Sequence, residues 1–214
     1  MTTEYSYSDS NPTHANAYLW PVLQAVIAKS DFRERRAFDL GCGNGATSGM
    51  LTSLGFETTG VDPSESGIRL AKEGVPNARF RVGSAYDDLA SQYGLFPLVV
   101  SLEVIEHCYE PRSFVKTFYR LLAPGGVGFI STPYHSYLKN LALAVSGKMD
   151  RHFTALWDGG HIKFFSIQTL REIVSEAGPS ELEFLRVGRI PALAKSMVCV
   201  VRKPPAPATQ TGVS

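Results

Sequence analysis

The sequence predicts an α/β chain: an open, mostly parallel sheet with helices on both faces and an antiparallel hairpin at one edge. Three observations carry this expectation. Between Arg36 and Ala177, short apolar runs alternate four or five times with segments whose apolar residues fall at helical spacing. Two of those runs, Pro97 to Leu102 (PLVVSL) and Val127 to Thr132 (VGFIST), are apolar almost throughout, as strands buried on both faces are. The last two strand candidates, Leu182 to Val187 and Met197 to Arg202, are joined by a Pro-containing loop with no helix between them. Such a pair closes as a hairpin rather than by a crossover.

Each element has its own reason. Arg36 to Leu40 (RAFDL) runs apolar up to an acid and then meets glycines. Gly45 to Leu54 places Ala46, Met50, Leu51 and Leu54 on one helical face, and Phe56 to Val61 (FETTGV) alternates as a strand does. Ser64 is an N-cap for a helix to Glu73, and Arg79 to Val82 is a short strand. Pro111 starts a helix to Leu122, which Ala123-Pro124-Gly125-Gly126 stops. Ser166 caps a helix to Ala177, and Gly178-Pro179 ends it. In sheets of this kind, ligands bind beyond the carboxyl ends of the strands. The chemistry is therefore expected just after Leu40, Val61, Val82, Leu102 and Thr132.

Composition narrows the class. With 214 residues, 44% of them apolar and 19% charged, the chain suits one large domain and excludes a disordered or fibrous protein. Lys plus Arg number 21 against 20 Asp plus Glu, a balance that argues against a general nucleic-acid binder. No DNA partner is expected, and RNA is disfavoured. Cys42, Cys108 and Cys199 are far apart and form no CxxC pair, so neither a zinc ribbon nor a disulfide framework is suggested. A reducing, cytoplasmic setting is the simplest reading. Met1 to Pro12 lacks the basic start and apolar run of a signal peptide, and no apolar run reaches the length of a membrane span. Lys203 to Ser214 (KPPAPATQTGVS) is expected to be a disordered tail.

The segment Asp39-Leu40-Gly41-Cys42-Gly43-Asn44-Gly45 follows the first strand and opens a helix, and Asp62 ends the second strand about 20 residues on. Glycines let the backbone approach a ligand closely, and a carboxylate at the second strand end can accept two ribose hydroxyls. The third glycine comes one residue too early for the dinucleotide fingerprint. The pattern D-x-G-x-G-x-G with the later Asp62 resembles the S-adenosylmethionine (SAM) loop of class I methyltransferases. The resemblance runs from about Arg36 to Arg202 and includes Leu121 to Gly126 (LLAPGG) and the late hairpin. It implies a Rossmann-like sheet of seven strands. It further implies that Gly41 and Gly43 pack on the methionine part of SAM, that Asp39 sits near its amino group and that Asp62 takes the ribose hydroxyls. Pro63 and Ser64 would flank the adenine. Ser84, beside Ala85, stands where the family often has an acid that reads the adenine amino group. Leu102 and Glu103 would lie beneath the point of methyl transfer.

Glu103-Val104-Ile105-Glu106-His107 follows the buried strand PLVVSL. Positions i, i+3 and i+4 share one face of a helical turn, and two carboxylates with an imidazole can hold a divalent cation such as Mg²⁺ or Mn²⁺. The same cluster can also be a metal-free polar group with His107 as general base. The run is similar to E-x-x-E-H in ubiquinone-biosynthesis O-methyltransferases and in small-RNA 2′-O-methyltransferases, whose metal site a later His completes. His161 is the candidate for that role, as ligand or as base.

Residues 133–165 are long for a connection in an α/β domain and are expected to recognise the acceptor. Tyr137 to Met149 is weakly amphipathic. An ordinary packing helix is the favoured reading, and a lid or a weak peripheral membrane contact is the other. Arg151 to Phe165 packs four aromatics and two histidines into fifteen residues. Residues 1–35 are expected to form a lid over SAM, with Tyr5, His14 and Tyr18 either touching ligand or packing on the sheet. The sequence thus points to a SAM-dependent methyltransferase acting on a hydroxyl of a small molecule: a phenol, a quinone precursor or a sugar. A metal-dependent RNA 2′-O-methyltransferase and a small-molecule N-methyltransferase are the alternatives. Oligomeric state is not legible.

Overall fold

The computed structural model describes residues 6–153 and 155–207; Tyr5 and the tail beyond 207 lie outside them. The strands are β1 (Arg36–Leu40), β2 (Glu57–Asp62), β3 (Arg79–Val82), β4 (Phe96–Leu102), β5 (Leu122–Pro133), β6 (Glu181–Val187) and β7 (Ser196–Arg202). They form one seven-stranded sheet in the order β3-β2-β1-β4-β5-β7-β6. The strands β1 to β5 run parallel, and β7 lies antiparallel between β5 and β6. The sequence explains which partner of the hairpin lies inside. In β7, SMVCVV is buried throughout, so it needs cover on both faces, whereas β6 alternates exposed and half-buried residues and suits the edge.

The helices are α1 (Asn16–Ala28), α2 (Ala46–Ser53), α3 (Glu65–Gly74), α4 (Leu89–Tyr93), α5 (Pro111–Leu121), α6 (Tyr137–Val145), α7 (Met149–Phe153) and α8 (Ile167–Ala177). Leu19 and Leu23 of α1 and Leu51 of α2 pack with Leu98, Val100 and Phe129 on one face. The other face carries α5 and α8 over Phe38, Val99 and Ile130. In α5, Phe114, Val115, Phe118 and Leu121 form the buried stripe. At about 2 kcal/mol for each large apolar side chain, that stripe rather than helix propensity holds α5 in place. The expected caps are present. Ser64 Oγ accepts from Gly67 N–H, and Ser166 and Thr169 form a reciprocal capping box on α8.

Four local expectations change. Leu122 to Gly126 is the irregular first part of β5 rather than a turn before it, with a register shift opposite Phe96 and Leu98. The tail begins later than Lys203: its N–H donates to Gly126 O at 3.0 Å, and its Nζ donates to Leu122 O at 2.7 Å. The amphipathic stretch from Tyr137 is two helices, α6 and α7, and α6 buries none of its residues, so it is not an ordinary packing helix. Finally, the run after β4 is not one α-turn. Only Ile105–His107 is helical, as a single tight 3₁₀ turn, and Glu103 before it has φ +54°. Glu103 therefore does not share a helical face with Glu106 and His107.

Candidate functional site

The order of strands reverses at β1, whose neighbours are β2 and β4, and two clusters meet beyond the carboxyl ends there. The first is the glycine loop. Gly41 N–H donates to Val61 O at 2.8 Å, which draws the loop against the end of β2. Gly41 and Gly43 hold φ +79° and +51°, a region that side chains with Cβ rarely adopt. Asp62, buried at the end of β2, accepts Gly43 N–H at Oδ2 and Ser64 N–H at Oδ1, both at 2.9 Å. Its carboxylate is thus fixed between the loop and the N-terminus of α3. Asp39 is buried beneath, where Ser48 Oγ donates to Oδ2 at 2.7 Å. Burial raises the Asp39 pKa to about 7, the Ser48 bond opposes that shift, and the Asp62 charge adds to it.

Two residues not among the expected ligand contacts, Tyr7 and Asn44, complete this cluster. A Cβ on Gly43 would come within 2.3 Å of Tyr7 Oη, and one on Gly67 within 2.9 Å of Tyr7 Cδ2, so the Tyr7 ring lies across the loop. Asn44 Nδ2 holds the segment there by donating to Asp9 O and Asn11 O, each at 2.9 Å. His14 and Tyr18 lie elsewhere: His14 accepts from Lys195 Nζ, and Tyr18 Oη bonds Ser196 Oγ. Pro63 is exposed beside the buried Ser64. Ser84 N–H donates to Asp87 Oδ2 at 2.8 Å, which brings an acid to the strand end where Ser84 itself offers none, and Ala85 is half-buried next to it.

The second cluster is Glu106, His107 and His161, whose ligand atoms all lie within 4.8 Å of one another. The distant His161 arrives because Glu106 O accepts both Ile162 N–H (2.9 Å) and Lys163 N–H (3.0 Å). His107 Nδ1 donates to Gly159 O at 2.9 Å, which fixes the tautomer and leaves the Nε2 lone pair for a ligand. Glu106 is completely buried, and neither carboxylate oxygen has a hydrogen-bond partner among the described residues. Burial, then the nearby Glu103 charge, pushes its pKa well above the carboxylate range. Burial lowers the pKa of His107, and burial with the neighbouring imidazoles lowers that of His161 to about 4. With His161 uncharged above that value, its 4.0 Å approach through Nε2 to Glu106 Oε1 is not an ion pair near neutral pH.

Glu103 is not part of this trio. Ser131 Oγ donates to its Oε1 at 2.8 Å and Ser196 Oγ to its Oε2 at 3.0 Å, turning the carboxylate toward β5 and β7. Burial raises its pKa to about 7, against the pull of those two bonds. Leu102 is half-buried above the α1 side of the core. Val104, two residues before Glu106, links the two clusters: a Cβ on Gly41 would lie 2.6 Å from a Val104 methyl.

Comparison with known proteins adds a family. The family described as "Methyltransferase domain" matches residues 13–179. The ubiquinone biosynthesis O-methyltransferase of Caulobacter vibrioides is 38% identical over 125 residues, 56% of this chain and 49% of that protein. Its counterpart in Thiobacillus denitrificans is 30% identical over 162 residues, 73% of this chain and 69% of that protein. The match to the Caulobacter relative spans about half of that protein's length. Among solved structures, a protein from Pyrococcus horikoshii superposes with TM-score 0.68 at 21% identity, covering 92% of this chain and 94% of that one. The magnesium protoporphyrin IX methyltransferase of Synechocystis, solved with bound SAH, gives TM-score 0.66 at 16% identity, covering 86% and 81%.

Proposed function

The chain belongs to the methyltransferase-domain family, and we propose that it transfers a methyl group from SAM to a hydroxyl of a small-molecule acceptor. A phenol, a quinone precursor or a sugar is the acceptor class, and Glu106, His107 and His161 hold a divalent cation beside it. The observation that carries this reading is the contact of Val104 with Gly41: the trio and the glycine loop share one wall. A methyl donor on one side and an acceptor oxygen on the other would then meet in line.

On the donor side, Gly41 and Gly43 admit the methionine part, and Asp39 faces its ammonium. That positive charge would draw the Asp39 proton off, since the carboxyl titrates near neutrality. Asp62 receives the ribose hydroxyls. Pro63 and Ser64 take one side of the adenine and Ser84 and Ala85 the other. Leu102 and Glu103 form the floor beneath the methyl. SAM when bound supplies a methyl on a positively charged sulfur, so the protein's part is alignment and deprotonation.

On the acceptor side, the trio fits a cation. It offers one buried carboxylate with both oxygens unpartnered and two imidazoles held neutral. A cation there supplies Lewis-acid polarisation of the acceptor hydroxyl. A mixed nitrogen and oxygen donor set suits Mn²⁺ better than Mg²⁺. His161, at about 4, is a weak proton acceptor but keeps its lone pair available at neutral pH, which suits a ligand. His107, oriented by Gly159, is the better placed base. As the oxygen–methyl bond forms and the sulfur–methyl bond breaks, S-adenosylhomocysteine leaves; the hydroxyl proton passes to water where His107 Nε2 would hold the cation, and to His107 Nε2 where that lone pair is free.

The test is methyl transfer from labelled SAM to a catechol and to a short RNA, after EDTA treatment and with Mn²⁺ restored. Transfer to the catechol that EDTA abolishes and Mn²⁺ restores is the expected result. Undiminished transfer in EDTA refutes the cation, and transfer to RNA alone refutes the small-molecule acceptor.

A further inference from the structure

Among the described residues, eleven of the fifteen exposed large apolar side chains fall between Tyr137 and Leu193, with Tyr109 the most exposed of the other four. Tyr137 and Val145 of α6 are each 81% exposed, and Leu138 is 62% exposed. Leu156, which follows α7, is 99% exposed, and Ile190, just before the short turn Pro191–Leu193, is 65% exposed. These segments are neighbours. Helix α6 packs beside α7 and beside the Pro191–Leu193 turn. Lys139 pins it there, with Nζ donating to Tyr134 O at 2.8 Å and to Ala194 O at 3.3 Å. All leave from the same end of the sheet, where Pro133 pairs with Ser196 and Ser196 with Val187.

Charge indicates what covers these side chains. Residues 137–164 and 186–195 carry seven Lys and Arg against two Asp and no Glu. The chain as a whole has 21 against 20, so the remainder has 14 (21 less 7) against 18 (20 less 2). Lys148, Arg151 and Arg189 are exposed beside the apolar tips. Interfaces between proteins are depleted in Lys, whereas apolar tips ringed by cations match a bilayer surface. There the tips enter the boundary between headgroups and acyl chains, and the cations stay with anionic headgroups. No helix among the described residues is long and apolar enough to cross a membrane, so the contact is a surface one.

We infer that this face, built from α6, the loop around Leu156 and the turn at Pro191–Leu193, docks the chain reversibly onto an anionic lipid surface. The inference concerns where the chain sits and does not depend on the acceptor or on a bound cation. An opposing basic residue near an anionic surface strengthens binding several-fold, so a pair contributes tenfold or more.

The experiment is co-sedimentation of the full chain with vesicles of phosphatidylcholine alone and of phosphatidylcholine with about 30 mol % phosphatidylglycerol. Two double variants accompany it: Val145→Ser with Leu156→Ser, and Lys148→Glu with Arg151→Glu. All four positions are exposed, so thermal melting should not move, and melting checks that each variant is folded. Binding to the anionic vesicles is expected, weak or absent on phosphatidylcholine, weakened about tenfold by each double variant, and weakened by added salt. Absence of binding to anionic vesicles overturns the inference, as does binding that neither variant weakens. A wild-type dimer in light scattering that the Val145 and Leu156 variant dissociates also overturns it, because the face is then covered by a second copy.

Discussion

The two halves of the site each hold a buried carboxyl group and are oppositely satisfied. Around the glycine loop, Asp62 accepts two backbone N–H groups, Asp39 accepts the Ser48 hydroxyl, and Asn44 ties down the segment that carries Tyr7. Across the Val104–Gly41 contact, Glu106 is at least as buried as Asp39, yet both of its oxygens lack a partner among the described residues. An unpaired buried polar group costs about 1–3 kcal/mol, and more if charged. The donor half is therefore preorganised, and the acceptor half keeps a destabilised group that a ligand can satisfy. The difference says where binding is paid for in advance and where it is not.

The largest expected effect separates the halves outright. Glu106→Gln should lower methyl transfer by about a hundredfold or more, because it removes the anionic ligand. SAM affinity, read by calorimetry, should stay within about twofold. Melting should hold or rise, since the amide is an uncharged isostere at a position where burial disfavours the charged carboxylate. A parallel collapse of SAM binding would break the division.

Gly43→Ala attacks the other half. It places a Cβ at φ +51° and 2.3 Å from Tyr7 Oη, so the loop must shift. The left-handed backbone alone costs about 1–2 kcal/mol. SAM affinity should fall about tenfold or more, with a lower melting temperature, while Mn²⁺ binding to the trio is unchanged. Paramagnetic relaxation of water by Mn²⁺ reads the second quantity directly.

Glu103→Gln sharpens the boundary with a smaller effect. Its oxygens are engaged by Ser131 and Ser196, outside the trio. Mn²⁺ affinity should fall less than about threefold, against tenfold or more for Glu106→Gln. Equal losses would mean that Glu103 turns inward when the cation binds.

Much of the frame was legible in sequence, and the reason is local. Apolar runs such as PLVVSL and the caps at Ser64 and Ser166 are decided by neighbours within a few residues, so the strands and helices fall where the pattern puts them. The hairpin at the edge was expected, whereas the inner place of β7 emerges only from its unbroken burial beside the alternation of β6. Glu106, His107 and His161 were legible as residue types, but the separation of Glu103 from them was not. It depends on a positive φ and on Ser131 and Ser196, which lie 28 and 93 residues away. Tyr7 was legible only as one aromatic of the N-terminal segment; its place on the loop was not, because a Gly43 with no side chain and carbonyls held by Asn44 set it. The exposure of α6 also escaped the sequence, because a helical apolar pattern specifies a face and not what covers it.

A titration also tests the comparison, because the two halves have opposite signs. Asp39 has a pKa raised to about 7 in the folded chain and an ordinary carboxyl value when unfolded. Between these values the native state binds the extra proton, so the Asp39 contribution is complete at low pH. It is lost as pH rises from about 4 through about 7. Its size is on the order of 2–4 kcal/mol as an upper bound. His161 works in reverse. Its pKa is lowered from 6.5 to about 4, so the unfolded chain binds the extra proton, and stability is lost as pH falls from about 6.5 toward 4. Measured without ligand, Asp39→Asn should gain stability relative to the wild type as pH climbs from 5 to 8. His161→Gln should gain relative to the wild type as pH drops below 6.5. Parallel profiles for both variants would mean that neither group titrates from within its half of the site.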